Sequence, residues 1–221
     1  MKSLKAGEET TNFSVILEDG DPALNPANRP QLDKAVEMII GYSNGYQVPF
    51  AAVPLLEHRD IPEQNLYKCL FGRDSLLISD LLHGARPGLR LNVLCALASF
   101  QGGKFDPSSE EEPGRIPHEV RESDDPVAIK LTEQGGWKFP YYGSVDATLI
   151  WMRLLHTEAL VRPEILDIEV SGISLWQRSL AATEWILNRL GSQSGLIESN
   201  RANPRGIENQ VWKDSGDSYM H

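Results

Sequence analysis

The chain has 221 residues, of which 41% are hydrophobic and 24% charged, and its formal net charge is −10. This length can bury a substantial hydrophobic core, in one domain or in two small ones. The negative charge argues against nucleic acid or an anionic membrane as a partner, because both would be repelled. A neutral ligand such as a sugar is compatible with this charge, although acidity of this size is also a common solubility device.

The hydrophobic pattern predicts an all-α protein. Residues 1–29 are polar and predict an N-terminal arm, and residues 30–221 predict a helical region. Five helices are predicted, at residues 31–42, 74–82, 87–100, 144–160 and 174–190. Asp74 is the predicted N-cap of the second helix. No alternating strand of convincing length is found, and residues 104–139 are predicted as a long loop.

Cys69 and Cys95 each lie in an apolar context, which predicts buried and reduced thiols. No metal-ligand spacing is present, so neither a metal nor a cofactor is expected. The amino terminus has no apolar stretch after its lysines, and no apolar run approaches the roughly 20 residues that cross a bilayer. We therefore expect a cytoplasmic protein.

The order of the connections predicts where the chemistry-bearing runs meet. Antiparallel helices alternate in direction, so every second connection falls at the same end of the helices. The connections after the first, third and fifth predicted helices are long and carry the motifs, whereas those after the second and fourth are short. The long connections are therefore expected to meet on one face and form one site.

The first run is Phe71-Gly72-Arg73-Asp74. A guanidinium beside a carboxylate can hold two hydroxyls of one sugar ring, one as donor and the other as acceptor. The alternative is structural, with Asp74 capping a helix and pairing with Arg73. Taken alone, the run favours the structural interpretation.

Two further runs also allow both a ligand-binding and a structural interpretation. In residues 113–121, two prolines stiffen a loop that carries His118 and Glu119, which indicates either the rim of a pocket or a solvated charged loop. In residues 141–146, Tyr141 and Tyr142 could stack on sugar faces. Asp146 falls in the predicted first turn of a helix, where the helix dipole favours its charge. A ligand contact and a purely structural aspartate both remain open.

The fourth run contains Trp212-Lys213-Asp214. An aromatic side chain followed by a carboxylate is typical of a general acid. Packing against Trp212 would desolvate the carboxyl group of Asp214 and raise its pKa, whereas Lys213 would lower that pKa. The alternative is that Asp214 or Ser215 caps a further helix.

Together and in this order, the four runs resemble the catalytic domain of the bacterial glycogen-debranching, amylo-α-1,6-glucosidase-like family. Its members carry the runs Phe-Gly-Arg-Asp-Ser, Pro-Gly-Lys-Ile-x-His-Glu, Tyr-Tyr-Gly-x-Val-Asp and Asn-Gln-Gly-Trp-Lys-Asp-Ser. The corresponding stretches here are residues 71–75, 113–119, 141–146 and 209–215. The resemblance extends from about residue 30 to the end of the sequence.

The resemblance implies a six-hairpin (α/α)6 toroid, of which this chain would supply about five to six of twelve helices. It also implies hydrolysis of an α-glucosidic bond with inversion, which needs an acid and a base on opposite sides of the sugar. Asp214 corresponds to the general acid, and Arg73 and Asp74 to the residues that hold the non-reducing glucose. Substrate contacts are implied for all four runs: Arg73, Asp74, His118, Glu119, Tyr141, Tyr142, Asp146, Trp212 and Lys213.

The sequence departs from the family pattern at three positions. Val211 stands where the family has glycine, Gly216 where it has tryptophan, and Arg115 where it has lysine. The family's base comes from a loop before the last barrel helix, beyond residue 221, so no base is assigned. We therefore expect an α-glucoside hydrolase that is either truncated or one half of a split enzyme, the latter completed by a second polypeptide or a second copy. The alternatives are a non-catalytic carbohydrate-binding or regulatory relic and a helical scaffold, the latter disfavoured by the ordered motifs.

Overall fold

A computed structural model describes residues 29–53, 65–190 and 195–212. This part of the chain is mainly helical, which agrees with the predicted class at that level. The helices are α1 (Arg29–Ile39), α2 (Gly72–Leu81), α3 (Pro87–Ser99), α4 (Pro126–Gly135), α5 (Asp146–Val161) and α6 (Leu175–Arg189). A 3-10 helix (Pro163–Asp167) follows α5. The short strands are β1 (Ile40–Ser43), β2 (Tyr46–Pro49), β3 (Leu70–Phe71), β4 (Glu119–Val120), β5 (Glu169–Val170) and β6 (Ile173–Ser174).

The end of the first predicted helix is a hairpin instead. Helix α1 ends at Ile39, and β1 pairs antiparallel with β2 across the two-residue turn Asn44-Gly45. Both turn residues have positive φ angles, +47° and +81°. Such turns match the twist of paired strands, and Asn-Gly is their strongest sequence signal. The prediction of residues 31–42 as one helix, and of no strands, is therefore wrong here.

Helix α2 begins two residues before the predicted start. Its N-cap is Phe71, so Asp74 lies in the first turn and is not the capping residue. A carboxylate in the first turn still interacts favourably with the unpaired N–H groups of the helix end. The prediction for α3 is confirmed almost to the residue, with Pro87 at the start, where its missing N–H costs nothing.

Helix α4 lies inside the segment that was predicted as a loop. The Asp125 side chain accepts a hydrogen bond from the Val127 N–H at 2.7 Å, and Pro126 opens the helix. Gly136 closes it in the left-handed conformation at φ +67°. Only Val127 and Ala128 of α4 are buried, so the helix contributes little to the core.

Helices α5 and α6 agree with the predictions to within two residues at each end. Helix α6 begins with a capping box in which Ser174 and Gln177 each bond the other's backbone N–H. The 3-10 helix and the β5–β6 hairpin connect α5 to α6.

The core lies between α2, α3 and α5. Helix α2 packs against α3 and α5, and α6 packs against α5 and the 3-10 helix. Trp151 of α5 is fully buried and donates its indole N–H to the carbonyl oxygen of Leu94 at 3.0 Å. Helix α3 is buried along most of its length: Leu89, Val93, Leu94, Cys95, Ala96, Leu97 and Ala98. In the described part of the chain, no helix is long and apolar enough to cross a membrane.

The helices alternate in direction as the sequence predicts. At one end, the start of α2 contacts the start of α5 through Arg73 and Asp146, 3.0 Å apart. At the other end, Arg90 at the start of α3 pairs with Asp80 near the end of α2, at 2.9 Å, and with Glu158 near the end of α5, at 3.0 Å. The described parts of the connections that lead into α2 and α5 therefore lie at the same end of the helices.

Both cysteines are buried and free, as predicted. Burial raises the pKa of the Cys95 thiol to about 12, and burial also raises the pKa of Cys69, where nearby Glu119 adds to the effect. We expect a thiol reagent at pH 8 to label neither cysteine in the native protein and both in 6 M urea. Because the folded state holds these protons more tightly, stability should fall as the pH rises above about 8.5. Rapid labelling of native protein would contradict the burial.

Candidate functional site

The first three motif runs are joined by backbone hydrogen bonds. Strand β3 pairs with β4, and Tyr141 forms a β-bridge with Glu119 on the other side of β4. The Gly72 N–H donates to the His118 carbonyl oxygen at 2.8 Å, and the His118 N–H donates to the Tyr141 carbonyl oxygen at 2.8 Å. Runs separated by about 50 and 70 residues of sequence therefore share one small ladder.

Gln210 attaches the fourth run to the segments that form this ladder. Its carbonyl oxygen accepts from the Val145 N–H at 2.8 Å, and its side-chain oxygen accepts from Arg115 at 2.7 Å. Gln210 is fully buried, whereas Trp212, two residues later, is 69% exposed. Lys213 and Asp214 lie outside the described residues. The predicted meeting of the four runs is thus confirmed as far as residue 212.

At this junction a partly exposed guanidinium lies between two carboxylates. Arg73 donates to the carboxylate of Asp146 at 3.0 Å, and its Nε lies 3.9 Å from the carboxylate of Asp74. The hydroxyl of Ser144 donates to the other oxygen of Asp146 at 2.5 Å. The side chain of Arg73 is 13% exposed, that of Asp146 20% and that of Asp74 39%. These groups present donors and acceptors side by side at a partly open surface.

Both carboxylates also lie at helix starts. Asp74 is in the first turn of α2, and Asp146 is the first residue of α5. The N–H groups at these two helix ends stabilise negative charge. Helices α2 and α5 therefore each place an aspartate of their first turn at this junction.

Tyr141 and Tyr142 have structural roles in the part of the chain that the structure describes. Tyr141 is fully buried, stacks on Trp137 with ring centroids 4.4 Å apart, and accepts from the Ile207 N–H at 2.8 Å. Tyr142 is 4% exposed and donates its hydroxyl proton to the Phe100 carbonyl oxygen at 2.6 Å. Burial raises the pKa of both phenols, that of Tyr141 to about 12. Neither ring offers a face to a sugar, which corrects the prediction that they line the pocket wall.

His118 and Glu119 are also buried, at 4% exposure each. The His118 ring contacts the rings of Phe71 and Tyr141 edge-on, with centroids 5.6 and 6.2 Å apart. Glu119 forms an ion pair with Arg121, which also bonds Asp125 at 2.9 Å. Burial raises the pKa of Glu119, and the charge of Arg121 opposes that shift. These residues brace the ladder, so the expectation of a solvated loop or pocket rim is wrong for them.

Arg115 lies at the centre of the junction. In the sequence it stands out only because the family has lysine at this position. Its side chain is fully buried, and its guanidinium donates to Gln210, to the carbonyl oxygen of Glu110 at 2.8 Å and to that of Ser144 at 3.4 Å. It also lies over the ring of Trp185, 5.4 Å from the centroid. Burial lowers the pKa of Arg115 to about 10, and Glu112 opposes that shift. One buried cation thus ties the second, third and fourth runs together.

A second anchor, Glu110, gave no signal in the sequence. Its carboxylate accepts from the Ala202 N–H at 2.8 Å and the Asn203 N–H at 2.9 Å. Its own backbone has a positive φ of +61°, which is uncommon for a residue other than glycine. Glu110 thus fixes the segment after α6 to the junction. The contacting residues are more than 90 positions apart in sequence, so no local pattern indicates the contact.

Among the described residues, no three His, Cys, Asp or Glu side chains lie close enough together to hold a metal ion. A scan against protein-family models gives no match, and a search of curated proteins finds no match either.

Proposed function

We propose that this chain binds an α-glucoside at the junction of its four motif runs, as part of a glycoside hydrolase with a six-hairpin (α/α)6 toroid. The observation that carries the proposal is the Arg73–Asp146 ion pair with Asp74 beside it. Charged side chains from the first and third runs, 73 residues apart, meet at a partly exposed surface. Asp74 adds a second carboxylate, 39% exposed, beside the same guanidinium.

The chemistry of these groups suits a neutral polyol. Each ring hydroxyl of a sugar is both a donor and an acceptor, so adjacent hydroxyls can bond a carboxylate and a guanidinium together. Hydrogen bonds to charged groups contribute about 1.5–3 kcal/mol each, which compensates for removing the hydroxyls from water. Arg73, Asp74 and Asp146 would hold the non-reducing glucose in this arrangement.

The proposed catalytic acid is Asp214, four residues after the buried Gln210. An inverting hydrolase also needs a base roughly 6.5–9.5 Å from the acid, with a water molecule between the base and the sugar. No residue of this chain is assigned as that base. We therefore propose that hydrolysis also requires the helix and loop that carry the base, which are not among residues 1–221, and that sugar binding does not.

The proposal is tested by titrating the purified chain calorimetrically with isomaltose, maltose and trehalose. We expect binding of at least one of these sugars, weakened about tenfold or more by Asp74→Asn or Asp146→Asn, because each loses a charge-assisted hydrogen bond. Asp74→Asn is the cleaner variant, since it leaves the Arg73–Asp146 pair in place.

The matched control is Asp167→Asn, which changes an exposed aspartate at the end of the 3-10 helix. This variant should bind as the unaltered chain does. Thermal unfolding of each variant separates lost binding from lost folding. Folded protein that binds none of the three sugars, or binds them equally well after Asp74→Asn, would refute the proposed site. Release of glucose by these 221 residues alone would refute the proposal that hydrolysis requires further helices.

A further inference from the structure

Helix α6 carries an apolar stripe that nothing in the described residues covers. Its members lie on one side of the helix, with Leu190 one residue beyond the helix end. All are exposed, the four apolar ones by 41–61%: Trp176, Leu180, Thr183, Leu187 and Leu190. Their spacing is 4, 3, 4 and 3 residues. At 100° per residue these positions fall within an arc of about 80°. This spacing is that of a helix seam that packs against another helix.

The opposite side of α6 already packs into the protein. Leu175, Ala182 and Trp185 are buried, and Trp185 donates to Glu112 at 2.7 Å. The stripe is therefore an additional surface rather than a displaced part of the core. Exposed apolar surface in a continuous strip usually marks an interaction site.

The stripe is nearly symmetric about Thr183. Trp176 and Leu190 each lie seven residues from Thr183, and Leu180 and Leu187 lie three and four residues from it. If a second α6 approaches antiparallel about a twofold axis near Thr183, Trp176 meets Leu190 and Leu180 meets Leu187. Each apolar side chain then faces an apolar side chain. Self-complementarity of this kind is what a twofold interface requires.

From this pattern we infer that α6 is the contact surface of a homodimer, with its twofold axis near Thr183. The side chains of the stripe, each about half exposed, would bury on the order of 1,000 Å² in total, which is near the lower limit for specific interfaces. The dimer is accordingly a weak one, with a dissociation constant in the micromolar range. The inference does not depend on the proposed sugar site.

Charge along this face is compatible with self-association. Helix α6 carries only Arg178, Glu184 and Arg189, whereas the whole chain carries a net charge of −10. Arg178 is buried and Arg189 is paired with Glu112, so Glu184 is the one exposed charge on α6. The twofold axis would bring the two copies of Glu184 near each other at the solvated rim. This is a mild repulsion that solvent and salt screen.

Sedimentation equilibrium of the full chain across 1–500 μM tests the inference. We expect a reversible monomer–dimer equilibrium, shifted at least tenfold toward monomer by Leu180→Lys and tightened by Glu184→Gln. Leu81→Lys is the matched control, because Leu81 is 85% exposed but lies at the end of α2. Tightening by Glu184→Gln with an unchanged thermal unfolding curve would exclude misfolding as its cause.

Crosslinking identifies the axis directly. A Thr183→Cys variant should be joined to its own copy by a short bifunctional maleimide, since the native Cys69 and Cys95 are buried. Glu133→Cys, at an exposed position on α4, should not be joined in this way. A monomer at every concentration, or a dimer that persists unchanged in Leu180→Lys, would overturn the inference. A monomer would leave the stripe to a different protein.

Discussion

Replacing Arg115 by methionine is expected to lower the free energy of unfolding by about 3–5 kcal/mol, because it breaks a buried, charge-assisted network. The guanidinium donates to the Gln210 side chain and to the carbonyl oxygens of Glu110 and Ser144. Methionine fills much of the volume but donates nothing, so these acceptors would be left buried without that donor. Urea unfolding followed by tryptophan fluorescence measures the effect.

The control is Arg153→Met, which removes a guanidinium with one ion-pair partner. Arg153 pairs with Asp80 at 3.0 Å, but its side chain is 57% exposed, and Asp80 keeps its contact with Arg90. Exposed pairs contribute about 0–1 kcal/mol, so this variant should unfold almost as the unaltered chain does. Similar losses from the two variants would mean that the Arg115 network contributes no more than a surface pair.

Hydrogen exchange in Arg115→Met separates the local effect of the Arg115 network on Gln210 from its contribution to global stability. The network holds Gln210 against the start of α5, and the Val145 N–H bonds the Gln210 carbonyl oxygen. Hydrogen exchange at Val145 should therefore accelerate more than exchange at Leu94, which lies in the centre of α3. Uniform acceleration at both positions would indicate only a global loss of stability.

The helical part of the fold is predictable where one element buries a continuous face. Helix α3 buries eight of its residues, and both of its ends were predicted to within one residue. Helix α4 was missed because it buries little, even though Asp125-Pro126 and Gly135-Gly136 are ordinary helix start and stop signals. The β1–β2 hairpin was missed although Asn44-Gly45 is a strong turn signal. In both cases the local signals were present, but the elements are short and bury few of their residues.

The sequence predicts that the motif runs meet at one place, but not which of their side chains are buried there. Alternation of helix direction is enough to bring the motif runs together, and the contact of Arg73 with Asp146 agrees with that argument. Whether a side chain faces solvent depends on what covers it. Tyr141 is covered by Trp137 and by the segment around Ile207, 66 residues away. No local pattern encodes such contacts, so the tyrosines were wrongly predicted to face a ligand.

The second large effect is expected for Gly72→Ala, which should lower the free energy of unfolding by about 3 kcal/mol. A Cβ atom at this position would overlap the carbonyl oxygen of Pro117 and lie 3.1 Å from the Cβ of Ala147. The carbonyl cannot move aside easily, because Pro117 precedes His118, whose backbone bonds both Gly72 and Tyr141. The start of α2 would have to move away from the ladder, and Arg73 would move away from Asp146 with it.

Gly88→Ala provides a matched comparison, since Gly88 also lies in the first turn of a helix. An added Cβ at Gly88 meets nothing within 4 Å. Alanine has the better helix propensity, so this variant should be more stable by about 0.5 kcal/mol. Urea unfolding should therefore move in opposite directions for the two substitutions. If Gly72→Ala were tolerated as well as Gly88→Ala, α2 would not approach residues 117–118 closely, and the meeting of the first two motif runs would have to be abandoned. With that contact removed, the geometric support for Arg73 and Asp74 as sugar-binding residues would also be lost.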